Sequence, residues 1–162
     1  MPALRTLLLI RHAKSSWKDV DLEDIDRPLN NRGIRDAPVM GQRLLARSLI
    51  PDLIVSSPAV RALATARAIA DEVGYSSEAI LIDDELYAAG PQDVLDVVSG
   101  FDDRVQLAMV ITHNPAITEL ANRFSRVPID NVPTSGILTV EAPAWSCIDV
   151  ATLVDFDYPR KT

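Results

Sequence analysis

The stretch Leu4-Arg5-Thr6-Leu7-Leu8-Leu9-Ile10-Arg11-His12 decides the fold. The run Leu4–Ile10 shows no apolar–polar alternation, so it reads as a strand buried on both faces of a parallel sheet. A secretory apolar region needs roughly 7–15 residues and a spanning helix about 20. Arg11, His12 and Lys14 interrupt this run too early for either. A buried strand that stops at an arginine and a histidine is therefore the reading from which the rest follows.

Working outward, a second apolar run, Val105–Ile111, also ends on a polar pair, Thr112 and His113. Leu53–Val55 reads as another short buried strand, and Ala79–Ile82 as a third. Between them lie helical patterns. Asn31–Ser48 carries Val39, Met40, Leu44 and Leu45 at helical spacing, with Pro38 predicting a late start or a bend. Ala59–Val73 is rich in alanine and stops at Gly74, and Pro91–Val98 stops at Gly100. Asn114 and Pro115 predict a helix through about Phe124, with asparagine as cap and proline at the first position. Gly136–Glu141 and Ser146–Val154 read as a hairpin-like strand pair around residues 142–144. Ser15–Asn30 has no sustained period and reads as a long surface loop.

Strands alternating with helices predict one α/β domain over residues 1–162, a three-layer α/β/α sandwich with a mostly parallel central sheet. A chain of 162 residues, 48% hydrophobic, is long enough to bury a core unaided. Its formal charge of -7 opposes non-specific attraction to nucleic acid or anionic lipid, so neither is an expected partner. One cysteine, Cys147, excludes an internal disulfide, and two histidines are too few for a zinc cluster. A cytoplasmic protein with no metal and no cofactor is expected.

Both histidines of the chain follow directly on apolar strands. If those strands are neighbours, His12 and His113 emerge at one rim about 5 Å apart. In open α/β sheets that rim, at the carboxyl ends of the strands, is where ligands bind. Ser56-Ser57-Pro58-Ala59-Val60-Arg61 adds a cation at the start of the helix after the second strand. Two imidazoles, Arg11, Arg61 and a helix N-terminus suit a phosphoryl group, because guanidinium forks match its oxygens and free amides favour an anion. A neutral imidazole also has the lone pair to attack phosphorus and hold it as an N–P intermediate.

The Arg11-His12 pair, Ser56-Ser57-Pro58 with Arg61 and Thr65, and the late His113 together resemble the histidine phosphatase superfamily, the phosphoglycerate mutase-like fold. Arg11-His12-Ala13-Lys14-Ser15, the Arg27-Pro28-Leu29 and Arg32-Gly33 block, and His113-Asn114-Pro115 look like its SixA-type phosphohistidine phosphatase branch. The resemblance implies His12 as nucleophile and Arg11, Arg61 and His113 as the phosphate pocket. It departs at Ala13, where many members have glycine, and at Ala64, where many have glutamine; neither change removes a reacting group.

Glu85, in Asp83-Asp84-Glu85-Leu86-Tyr87, is the best-placed carboxylate for a general acid, set against a solvated acidic loop. The resemblance implies that the SixA-type branch manages without a dedicated acid. Lys14, Ser15 and Asn114 are candidates for substrate contact, set against ordinary loop residues. Arg27, Arg32 and Arg35 alternate with Asp26 and Asp36 and read as a solvated, internally paired face. Asp19, Asp21, Glu23, Asp24 and Asp26 lack the pattern of a calcium loop and read as a lid or plain surface, and Trp17 as a partner contact or a packing anchor. The expected function is metal-independent removal of phosphate from a histidine-phosphorylated protein through covalent phosphohistidine. The alternatives are a small-molecule phosphomonoesterase using Glu85 and a phosphoprotein-binding module without turnover.

Overall fold

Alternation along the first strand separates two cores. In β1 (Arg5–Arg11), Leu7 and Leu9 face one side of the sheet, and Leu8 and Ile10 the other. All four are fully buried, and each such side chain stabilises by about 1.5–3 kcal/mol. The computed structural model describes residues 3–161. The remaining strands are β2 (Leu53–Ser56), β3 (Leu81–Ile82), β4 (Leu107–Thr112), β5 (Ile137–Ala142) and β6 (Thr152–Asp157). They form one sheet in the order β3-β2-β4-β1-β5-β6. β1, β2, β3 and β4 pair in parallel, while β5 runs antiparallel to both β1 and β6.

Helices α1 (Asn31–Ala46) and α2 (Val60–Val73) cover the Leu8 face through Met40, Leu44, Ala62, Ala66 and Ile69. Helices α3 (Pro91–Ser99) and α4 (Ala116–Phe124) cover the Leu7 face through Val94, Leu95, Val98, Ile117 and Leu120. The three-layer α/β/α sandwich is therefore the observed fold. β1 leads to a helix on one face and its neighbour β4 to a helix on the other. Such a reversal opens a crevice at the carboxyl ends of the two strands, where ligands of open α/β sheets bind.

Several boundaries differ from expectation. α1 starts at Asn31, capped by the Asn30 side chain on the Gly33 N–H, and runs through Pro38 without a late start. Its six buried residues outweigh one missing donor. The third strand shrinks to Leu81–Ile82, because residues 77–79 turn as a 3-10 helix. α4 is preceded by Pro115, and Asn114 does not cap it; the Asn114 side chain instead bonds Thr118 and Asn131. Ser146–Val150 is not strand: a 3-10 segment spanning Trp145–Val150 buries Trp145 and Ile148 in the core, and β6 begins only at Thr152. No helix among the described residues is long and apolar enough to cross a membrane.

Candidate active site

Parallel pairing sets Arg11 of β1 opposite Thr112 of β4, so the next residues, His12 and His113, leave the rim side by side. Their ring centres lie 5.0 Å apart, as one strand spacing requires. Both rings are buried, and with Arg11 and Arg61 they line one pocket.

The tautomer of His12 follows from its neighbour. His12 Nδ1 lies 2.7 Å from the main-chain oxygen of Ala13, which can only accept, so Nδ1 carries the proton and Nε2 the lone pair. Ala13 is held in turn, since its N–H donates to Thr65 Oγ1 at 2.9 Å while that hydroxyl donates to the Arg61 carbonyl at 2.8 Å. One buried threonine thus ties the loop carrying His12 to the helix carrying Arg61. Burial pushes the His12 pKa down to about 3, with the nearby His113 and Arg61 charges adding to the effect. His113 is lowered to about 4, first by burial and then by Arg61. Both rings are neutral near pH 7.

Arg61 shows two edges. Its Nη1 and Nη2 donate to Asp24, to the main-chain oxygen at 2.6 Å and the carboxylate Oδ2 at 3.0 Å. Its Nε faces His12 Nε2 at 3.4 Å and its Nη2 faces His113 Nδ1 at 3.5 Å, both long contacts. The Nε/Nη2 fork is therefore directed at the space between the histidines, in the spacing that matches two oxygens of a phosphoryl group. His113 Nε2 is engaged with Ser57 Oγ at 2.7 Å, which leaves Nδ1 on the pocket side. Arg11 is held through Nη1 on the Val132 carbonyl, whereas its Nε is buried without a partner. Burial lowers the Arg11 pKa, as expected of a cation kept from water. An anion between these groups would offset that cost.

The other sequence candidates divide. Lys14, Ser15 and Asn114 line the pocket, but Ser15 Oγ accepts from Arg27 Nη1 at 2.7 Å and Asn114 is engaged with Asn131 and Thr118. Glu85 is not in the pocket. It sits exposed in a separate shallow cleft with Asp93 and Asp96, because the turn Asp84–Leu86 buries Leu86 and turns Tyr87, not Glu85, toward the histidines. Arg32 does pair with Asp36, but Asp36 is buried and also accepts from Arg160, so this pair is not the solvated face expected. Arg27 does not belong to that face: it is buried at the pocket wall, with its guanidinium 3.5 Å above the exposed Trp17 ring.

The carboxylate in the pocket is Asp24, one of the five loop acids that read as a lid or plain surface. It accepts from Arg61, from Tyr87 Oη at 2.8 Å and from Arg27 Nε and Nη2 at 3.2 and 3.1 Å. Tyr87, then Arg61, hold its pKa down to about 2, so it is ionised. The one signal in the sequence is its place three residues before Arg27, and Tyr87 carries none beyond lying two residues after Glu85.

Residues 7–87 match the profile of the histidine phosphatase superfamily (branch 1). An uncharacterized Mycobacterium tuberculosis protein, MT1313, is 32% identical, the alignment covering 93% of this chain and 100% of that one. A crystal structure from Agrobacterium tumefaciens, provisionally designated the phosphohistidine phosphatase SixA, superposes with a TM-score of 0.80 at 27% identity over 98% of this chain and 99% of that one. A second structure under the same provisional designation, from Nakamurella multipartitia, gives 0.81 at 26% identity over 99% and 100%. With its fold, its paired histidines and its relatives in accord, the chain belongs to the histidine phosphatase superfamily, in the SixA-type branch.

Proposed function

We propose that this phosphatase removes phosphate from histidine-phosphorylated proteins by way of phospho-His12 and needs no metal ion. The observation that carries the reading is the lone pair on Nε2 of the neutral His12 ring, fixed by Ala13, beside the Nε/Nη2 edge of Arg61 that faces both histidines. In the first step Nε2 attacks phosphorus, the bond to the leaving group breaks, and its electron pair goes to the leaving atom. Arg11, Arg61 and His113 hold the equatorial oxygens and meet the charge that develops there. Water then attacks phospho-His12, releases phosphate and returns the lone pair to Nε2.

The leaving group is argued from the carboxylates. An alkoxide must be protonated as it departs, which needs a carboxylic acid or equivalent in reach. Among the described residues the pocket is lined by one carboxylate, Asp24, and it is ionised; Glu85 lies in another cleft. An imidazole departs without such help near neutral pH, which favours a phosphoramidate. The pocket mouth favours a protein bearing it: the chain from α2 to β4 adds only turns, β3 and α3, and Trp17 at the rim is 70% exposed.

The test is a competition of substrates with purified enzyme in chelator. Phosphohistidine protein is expected to be hydrolysed in preference to phosphoserine peptide and sugar phosphates. A preference for sugar phosphates, or activity restored only by added zinc or magnesium, overturns the proposal.

A further inference from the structure

Asp24 poses a question that the phosphoryl chemistry leaves open. A pocket for a dianion has a carboxylate on its wall, bonded to the arginine that is to hold the phosphate. Like charges a few ångströms apart repel each other, so a carboxylate there opposes phosphate binding. Holding Arg61 in place does not require a charge, because the Asp24 main-chain oxygen already accepts from Nη1 and an amide oxygen would serve Nη2 as well.

Its position explains the charge. His12 forms the buried floor of the pocket, whereas the Asp24 side chain is 50% exposed and lies at the mouth, between Arg61 of α2, Arg27 of its own loop and Tyr87 of the turn after β3. In-line displacement sends the leaving group away from Nε2, outward through that mouth. Two guanidinium groups alone would leave the mouth strongly positive.

We infer that Asp24 is a specificity determinant for the leaving group: its carboxylate balances Arg61 and Arg27 so that a cationic phosphoimidazolium is accepted at the mouth while phosphate is held beneath it. The inference rests on the proposed phosphohistidine activity and extends it to the charge of the leaving ring. In the balanced step, the His12 Nε2–phosphorus bond forms and the phosphorus–nitrogen bond of the substrate breaks. The electron pair returns to the ring nitrogen that carried phosphorus. The proton already on the other ring nitrogen stays there, so neutral imidazole departs and no acid is consumed. Asp24 takes no proton; it lowers the energy of the cation that precedes departure. A phenolate or alkoxide, gaining negative charge as it leaves, is disfavoured by the same group.

Asp24→Asn tests this, since it keeps the oxygen acceptor and removes the charge. Three probes are read on wild type and variant: phosphoimidazole, 4-nitrophenyl phosphate, and vanadate as inhibitor. On the variant, kcat/KM for phosphoimidazole is expected to fall about tenfold or more, that for 4-nitrophenyl phosphate to hold or rise, and vanadate to bind at least as tightly. Equal losses on both substrates with weaker vanadate binding would make Asp24 a mere support for Arg61 and overturn the inference. An unchanged ratio between the two substrates would also overturn it, whatever the melting temperature. Wild-type enzyme active on phosphoimidazole but not on phosphohistidine protein would defeat the protein-substrate proposal and leave the role of Asp24 standing.

Discussion

Thr65 holds the two halves of the site together with one hydroxyl. Replacing it with valine keeps the shape but strands the buried Ala13 N–H, whose partner it is, and an unsatisfied buried group costs about 1–3 kcal/mol. Thr65→Val is expected to lower the melting temperature and, because Ala13 orients His12, to lower kcat as well. A variant with both unchanged would remove Thr65 from the positioning of His12. In the proposed mechanism Arg61 holds the phosphate oxygens. Arg61→Ala is expected to weaken vanadate inhibition together with turnover, and Arg61→Lys to restore only part, a point charge lacking the Nε/Nη2 fork. Unchanged vanadate inhibition in the alanine variant would place Arg61 outside the oxyanion site.

At the level of elements, the loop after His12 is fixed by the start of α1. The Asn30 N–H donates to the Lys14 carbonyl, and Gly33, in the first turn, packs so closely that a Cβ there would come within 2.2 Å of that same oxygen. Gly33→Ala must push the helix or the loop aside, a strain of about 1–3 kcal/mol or more. Reduced thermal stability and reduced turnover are expected together, and a fully active, fully stable variant would contradict the packing. This contact also shows what was legible in the sequence. The Arg32-Gly33 block is plain in the sequence, but the backbone that forbids a side chain at Gly33 lies 19 residues earlier and only folding brings it there. His12 and His113 were legible because each ends an apolar strand, so strand pairing alone fixes their distance. Asp24, Arg27 and Tyr87 lie on turns without period, where a charged residue at the pocket and one in solvent look alike. Likewise, Ile148 and Val150 made residues 146–150 resemble a strand, although the Trp145 indole, donating to the Val105 carbonyl at 2.8 Å, anchors a 3-10 segment there.

Across the whole molecule, burying two neutral histidines links stability to pH. In the unfolded chain both titrate near 6.5, while in the native state they remain neutral down to about 3 and 4. Between those values the unfolded state binds more protons, so stability is complete above about pH 6.5 and falls as the pH drops toward 4 and 3. Melts from pH 7 to 4 are expected to show this decline, and vanadate, bound only by the native state, to oppose it. A melting temperature independent of pH across that window would mean that the rings are solvated or charged. In the proposed mechanism phosphate passes through His12. The most direct measurement of that step is a rapid quench of enzyme with a protein carrying radiolabelled phosphohistidine, in chelator, followed by mapping of the label on the enzyme. An alkali-stable, acid-labile adduct is expected on the peptide containing His12, absent from a folded His12→Ala variant that no longer turns over. Turnover without a labelled enzyme, or a His12→Ala variant within tenfold of wild type, would contradict it.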